Sequence, residues 1–146
     1  MAKDPGVRRI GRRGSLALAL LAATAAAAGC GQDANRATAG AVTARFLTAV
    51  GSGDGTVACE QLSPQTRAAL EQQDQRECRA AVTQLRLEPG SVARVRVYVG
   101  NAMVELSSGE AEFLEQGSEG WRLSAVGCKP HDDAPDKHPY DCELND

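Results

Sequence analysis

The hydrophobic pattern divides the chain into a helical first part and an alternating second part. Up to Pro89-Gly90, apolar residues recur at spacings of three and four, which is the period of an amphipathic helix. Beyond that turn, apolar and polar residues alternate, which is the period of a half-buried strand. The predicted class is α+β, with N-terminal helices packed on a curved four-stranded antiparallel meander.

Local start signals set the boundaries of the first three helices. Thr38 is the predicted N-cap of the first helix, which ends at a Gly-Ser-Gly turn. Asp54 caps a second, short helix over residues 55–62. Ser63 is followed by a proline at the first helical position, and this pair predicts a third helix that runs to about Gln72.

A fourth helix is predicted over residues 74–85, where the apolar spacing turns Cys78 inward. The four strands are predicted over residues 91–99, 102–107, 110–116 and 121–126. Their inward positions are Val95, Val97, Val99, Val104, Leu106, Phe113, Trp121 and Leu123. The outward face carries Arg94, Arg96 and Arg122 opposite Glu105 and Glu112, which we interpret as cross-strand ion pairs on a solvated surface.

Residues 1–29 have the layout of an export signal. Five basic residues and one acidic residue precede a 13-residue apolar run. That run is shorter than the roughly 20 residues that a membrane span needs. Cys30 follows Ala27-Ala28-Gly29 directly, and this resembles the lipobox of bacterial lipoproteins, which implies a lipid on the Cys30 sulfur. Ala27 stands where such signals usually carry Leu, Val or Ile, so a secreted protein cut after a small-residue site is the alternative.

Removal of the leader makes the remaining chain acidic. Residues 30–146 hold 11 basic and 18 acidic side chains, a net charge of −7. Such a surface is repelled by phosphate, which excludes nucleic acid as a partner and leaves membrane attachment to the lipid. We divide this part into a flexible tether, residues 30–39, an α+β domain, residues 40–130, and an acidic tail, residues 131–146.

Four cysteines remain once Cys30 carries the lipid, and an exported domain usually oxidises them. Three pairings are possible. We predict Cys59–Cys78 and Cys128–Cys142, because each pair lies within one half of the domain. The second bridge would pin the acidic tail to the sheet, bury most of Tyr140 and leave a mobile loop around residues 132–137.

The tail also holds a group of potential metal ligands. His131, His138 and several aspartates lie between Cys128 and Cys142, with spacings that could be written as a zinc site. Oxidised cysteines cannot ligate zinc, and prolines make this stretch a stiff, solvated loop. We therefore predict no metal and no cofactor.

Two sets of short motifs carry a family resemblance. The first set is Phe46, Gly53-Asp54, Ala58-Cys59 and Gly120-Trp121-Arg122. With these the chain resembles the nuclear transport factor two-like proteins of the cystatin-like superfamily, which implies a cone-shaped fold. The second set is Gly120-Trp121-Arg122, Gly127-Cys128 and Pro139-Tyr140-Asp141-Cys142. Their order is similar to that in small lipoproteins of high-GC Gram-positive bacteria.

The cone implies a pocket, for which Phe46, Val97, Phe113 and Trp121 are the candidate lining residues. All four are apolar, and the sequence carries no nucleophile, acid–base or phosphate-loop signature. We therefore predict a non-enzymatic binding or interaction module, lipid-anchored at the outer face of the cell membrane. Its partner would be another envelope protein or a small apolar ligand. The alternative is an envelope enzyme that uses the pocket.

Overall fold

The computed structural model describes residues 15–131 and 139–146, with side chains from residue 31 onward. The chain divides into two compact units, Met1–Asp33 and Ala34–Asp146. The described part of the first unit is helical. Within the described ranges, no helix has both the length and the apolar character needed to cross a membrane. The predicted leader lies largely outside these ranges, as does the side chain of Cys30.

The described residues form four α-helices and one 3₁₀ turn before the sheet. Asp54 accepts a hydrogen bond from the Val57 N–H at 3.1 Å, and Ser63 accepts one from the Thr66 N–H at 3.1 Å, so both predicted caps are confirmed. The helices are α1 (Ser15–Ser52), α2 (Gly55–Gln61), α3 (Pro64–Asp74) and α4 (Cys78–Ala81), followed by the 3₁₀ turn Val82–Gln84.

Two predicted helix starts differ from the structure. Residues 30–39, the predicted flexible tether, are helical within α1, and Thr38 donates its hydroxyl to the Ala34 carbonyl instead of capping. This segment contains no proline and is rich in alanine, so nothing stops the helix. The predicted fourth helix does not begin at residue 74. Residue 74 is instead the last residue of α3, whose C-cap Gln75 is in the left-handed region (φ 53°), and α4 begins only at Cys78.

The sheet confirms the α+β class. It is antiparallel, with β1 (Val92–Val97), β2 (Asn101–Leu106), β3 (Ala111–Gly117) and β4 (Gly120–Pro130) side by side in chain order. Two short strands from the tail, β5 (Tyr140–Asp141) and β6 (Leu144–Asn145), also pair with β4. The predicted meander is present, and the tail extends it.

Both predicted disulfides form. Cys59–Cys78 joins α2 to α4, and Cys128–Cys142 holds the tail against β4. Tyr140 is half-buried rather than mostly buried: its ring meets Phe113 edge-on at 5.0 Å between centroids, and its hydroxyl donates to the Met103 sulfur at 3.6 Å. The loop predicted to be mobile lies outside the described residues.

The core lies between the helices and one face of the sheet. Val99 is not part of it: the prediction that it faces inward is wrong, because β1 ends at Val97 and Val99 is 99% exposed in the turn that follows. The fully buried large side chains of the core are Phe46, Leu62, Leu70, Val82, Val104, Leu114, Leu123, Val126 and Leu144.

Candidate functional site

A polar groove of about 840 Å³ lies at the surface of the Ala34–Asp146 unit. Helices α1, α2 and α3 contribute one set of lining residues, and the β3–β4 hairpin contributes the other. The lining residues are Arg45, Glu60, Gln61, Leu62, Pro64, Gln65, Arg67, Glu115, Gly117, Ser118, Glu119, Gly120 and Arg122.

Hydrogen bonds next to this groove join its two sides. The Ser63 N–H donates to the Leu123 carbonyl at 2.8 Å, and the Thr66 hydroxyl donates to the Ser124 carbonyl at 3.1 Å. Leu62 also forms a parallel bridge with Leu123. The α2–α3 turn is thus hydrogen-bonded to β4, so the two sides of the groove keep a fixed separation.

The groove carries both signs of charge. Arg45 lies 4.0 Å from Glu60, and Arg122 lies 3.8 Å from Glu119. Both ion pairs are therefore long and loosely held. Arg67 is held more firmly, because its guanidinium donates to the Cys59 carbonyl at 2.7 Å. That bond links the groove to the Cys59–Cys78 bridge.

The charges of the groove allow it to bind a charged ligand. Exposed ion pairs are weak, so a charged ligand can replace them at little cost. Within the described chain, the groove lining holds no histidine and no thiol, and Ser118 is its hydroxyl group. Its polar, two-sign surface suits a peptide or protein segment better than the small apolar ligand considered from the sequence.

The four predicted pocket residues do not line this groove. Phe46 and Trp121 are buried in the core, and Val97 packs half-buried against the same core cluster. Phe113 is outside that cluster, in contact with Tyr140. Three of the four residues thus belong to the core or pack against it, and Phe113 lies outside it.

The sequence analysis missed a pair of buried carboxyl groups. Glu112 is fully buried: its Oε2 accepts the Gly127 N–H at 3.1 Å, and its Oε1 has no hydrogen-bond partner among the described residues. Burial raises the pKa of Glu112 to about 8. The hydrogen bond from Gly127 opposes this rise, and the charge of nearby Glu110 makes the smallest contribution, in the raising direction. Glu110 is also buried, and it accepts the Glu88 N–H at 3.1 Å and lies 3.6 Å from Lys129.

The prediction that Glu112 lies on the solvated face is wrong. Glu112 stands directly opposite Val104 in the β2–β3 register, and directly opposite residues share a face of the sheet. A two-residue turn at Ser108-Gly109 would place Val104 opposite Phe113 and so face Phe113 inward, as predicted. The loop has three residues instead, since the Leu106 N–H donates to the Glu110 carbonyl at 2.8 Å. This shift of one residue turns Glu112 to the core face and Phe113 to the opposite face. The predicted cross-strand ion pairs of Arg94 and Arg96 with Glu105 are confirmed, at 3.7 Å and 2.9 Å.

The tail holds no metal group within its described residues. Cys128 and Cys142 are joined to each other, and His131 lies 3.4 Å from Asp141. His138 and the aspartates at positions 132, 133 and 136 lie outside the described residues.

No protein-family model, curated protein or solved structure matches this chain. The resemblances to nuclear transport factor two-like proteins and to small lipoproteins therefore stay predictions. What the molecule does has to be argued from its own residues.

Proposed function

We propose that this chain is an exported, lipid-anchored protein of the cell envelope that acts as a non-enzymatic interaction module. The polar groove carries this proposal. One backbone and one side-chain hydrogen bond join the start of α3 to β4 beside the groove, and the loosely paired charges of the groove can be exchanged for those of a partner protein. The helices-then-sheet order also fits a nuclear transport factor two-like domain, which we include in the proposal.

Two further observations support a place outside the cytoplasm. The two disulfides fit an oxidising compartment, because reducing systems keep cytoplasmic thiols free. The leader and Cys30 supply a route there, with the lipid on the Cys30 sulfur and attachment to the outer face of the membrane.

A Cys30→Ser variant should leave the membrane fraction at high salt, while Ser15→Ala should stay. Retention of Cys30→Ser would contradict the anchor, and release of both would point to secretion.

The groove is tested by crosslinking in the native envelope. A photoreactive amino acid at Gln65, an exposed groove residue, should yield a defined crosslinked protein. The same group at Gln84, exposed in the 3₁₀ turn and outside the groove lining, is the matched control. Adding Arg122→Glu should remove the Gln65 product, since it reverses one of the groove charges. Equal crosslinking from both positions would contradict a specific groove partner.

A second candidate function, an envelope enzyme, is favoured by one observation. Glu112 and Glu110 are a buried ionisable pair, and enzymes use burial to set the pKa of a catalytic carboxyl. Neither carboxyl lines the groove, so a substrate there would not touch them. If the enzyme hypothesis holds, the substrate reaches Glu112 from outside the groove, and Glu112→Gln should fold and keep the Gln65 crosslink but lose catalytic activity. If the interaction module is correct, the same variant should keep the Gln65 crosslink and differ only in stability.

A further inference from the structure

Strand β1 forms an open edge of the sheet. Among the described residues it pairs only with β2, and a bulge between Val92 and Arg94 confines regular pairing to the four residues 94–97. The Tyr98 N–H donates to the Asn101 carbonyl at 2.7 Å, which sets the phase of the ladder. Because the bonded positions alternate in an antiparallel pair, the backbone groups of Val95 and Val97 point away from β2.

The side chains beside this edge carry an excess of positive charge. Arg94 and Arg96 lie 3.7 Å and 2.9 Å from the same carboxylate, that of Glu105. One carboxylate cannot neutralise two guanidinium groups. Both arginine side chains also stay about half exposed or more, at 64% and 45%. A further carboxylate placed alongside β1 would therefore find a cation without breaking an existing pair.

The end of the same edge carries exposed apolar side chains. Tyr98 is 58% exposed and Val99 is 99% exposed, and these are the exposed large hydrophobic residues of the described chain. Both residues lie beyond Val97, the last residue of β1, and within β1 charged and apolar residues alternate between the two faces of the sheet. Proteins normally protect such an edge because it can pair with another strand.

We infer that β1 binds an extended segment of a partner protein, in which acidic and apolar residues alternate, by adding it to the sheet as a further strand. Its backbone would bond to Val95 and Val97 and its acidic side chains would lie beside Arg94 and Arg96. Its apolar side chains would lie on the opposite face of the sheet, beside the half-buried side chains of Val95 and Val97. A second copy of this chain fits poorly, since its own Arg94 and Arg96 would meet these two arginines and like charges oppose each other.

The inference rests on the proposed function only in taking the protein to be an interaction module. It is tested with the full chain in detergent and a capped peptide in which glutamate alternates with valine. A matched peptide with lysine in place of glutamate is the control. The acidic peptide should bind and shift the amide resonances of Val95 and Val97, and the lysine peptide should bind at least about tenfold more weakly.

Two variants separate strand addition from simple charge attraction. Val97→Pro removes an N–H that points away from β2, at an edge position where proline is tolerated. It should weaken binding of the acidic peptide by roughly tenfold. Val97→Thr keeps that N–H and should bind normally. The charge-inverted variant Arg94→Glu/Arg96→Glu/Glu105→Arg keeps its internal pairs and should prefer the lysine peptide. If Val97→Pro does not fold, this charge-inverted variant still tests the inference.

Three results would overturn the inference. They are equal binding of both peptides, an unchanged preference in the charge-inverted variant, and amide shifts confined to the groove. Self-association through β1, seen as a concentration-dependent mass, would also count against it. None of these results bears on the Cys30 fractionation or on the Gln65 crosslink, so failure of the edge and failure of the proposed function are distinguishable.

Discussion

At the scale of single residues, Glu112 is the group whose chemistry departs furthest from its solution behaviour. Its carboxyl is fully buried opposite Val104, with one oxygen bonded to Gly127 and the other without a described partner. Gly127 has φ +64°, and a Cβ there would lie 2.8 Å from Leu87. The residue that satisfies Glu112 is thus itself constrained to be glycine by its backbone conformation and its neighbours.

This burial predicts a stability that depends on pH. The pKa of Glu112 rises from 4.5 to about 8 on folding, so between these values the folded chain keeps a proton that the unfolded chain has lost. Stability should therefore fall as pH rises from about 4.5 to about 8, by up to on the order of 5 kcal/mol. Glu112→Gln should flatten this part of the profile and be the more stable protein above pH 8, measured by urea unfolding.

The exposed Glu119 supplies the control for this measurement. Glu119→Gln removes a carboxyl whose side chain is 84% exposed and should leave the profile unchanged. If wild type and Glu112→Gln lose stability in parallel between pH 4.5 and 8, Glu112 is ionised in the folded protein and its buried, neutral state is wrong.

At the scale of elements, sequence reasoning succeeded where the signal is local. Asp54 and Ser63 cap α2 and α3 as predicted, because a cap depends only on the next three residues. It failed where distant contacts decide. The fourth helix starts at Cys78 because Glu71, on α3, accepts the Cys78 N–H at 3.0 Å, a contact that apolar spacing does not reveal. The groove was not predicted either. Its charged residues are visible in the sequence, but they lie close together only because the α2–α3 turn packs on β4.

The tail strands show the same dependence on long-range contacts and yield the second prediction. The Glu143 and Asp146 N–H groups donate to the Gly127 and Ser124 carbonyls, each at 3.3 Å, and Leu144 is buried. Two-residue strands hold weakly by themselves, so the Cys128–Cys142 bridge should maintain them. Replacing both cysteines by alanine should speed amide exchange at Glu143 and Asp146.

The other disulfide provides the matched control for the tail. Cys59→Ala/Cys78→Ala removes a bridge between α2 and α4 and should leave exchange in the tail slow. Fast exchange at Glu143 and Asp146 in the fully oxidised protein would show that the tail is not pinned. Equal acceleration by both double variants would show global destabilisation instead of local release.

At the scale of the whole molecule, the class and chain order of the elements followed from periodicity, because a switch from a period of 3.6 to a period of 2 is a property of the whole sequence. The burial of the candidate pocket residues in the core did not follow from periodicity. Phe46 and Trp121 were assigned to a pocket, but periodicity gives the direction of a side chain and not whether neighbours fill the space beside it.

The third prediction concerns the dependence of this small domain on oxidation. The bridges close loops of 19 and 14 residues, and each stabilises by about 3 kcal/mol. Because domains of this size unfold at a cost of about 5–15 kcal/mol, losing both bridges should remove a large part of the stability. Urea unfolding of the full chain should show a much lower midpoint after reduction. The measurement belongs in a Cys30→Ser background, which prevents thiol exchange with the fifth cysteine. An unchanged midpoint after complete reduction would mean that the fold does not need an oxidising compartment, and it would remove the disulfides as support for a place in the envelope.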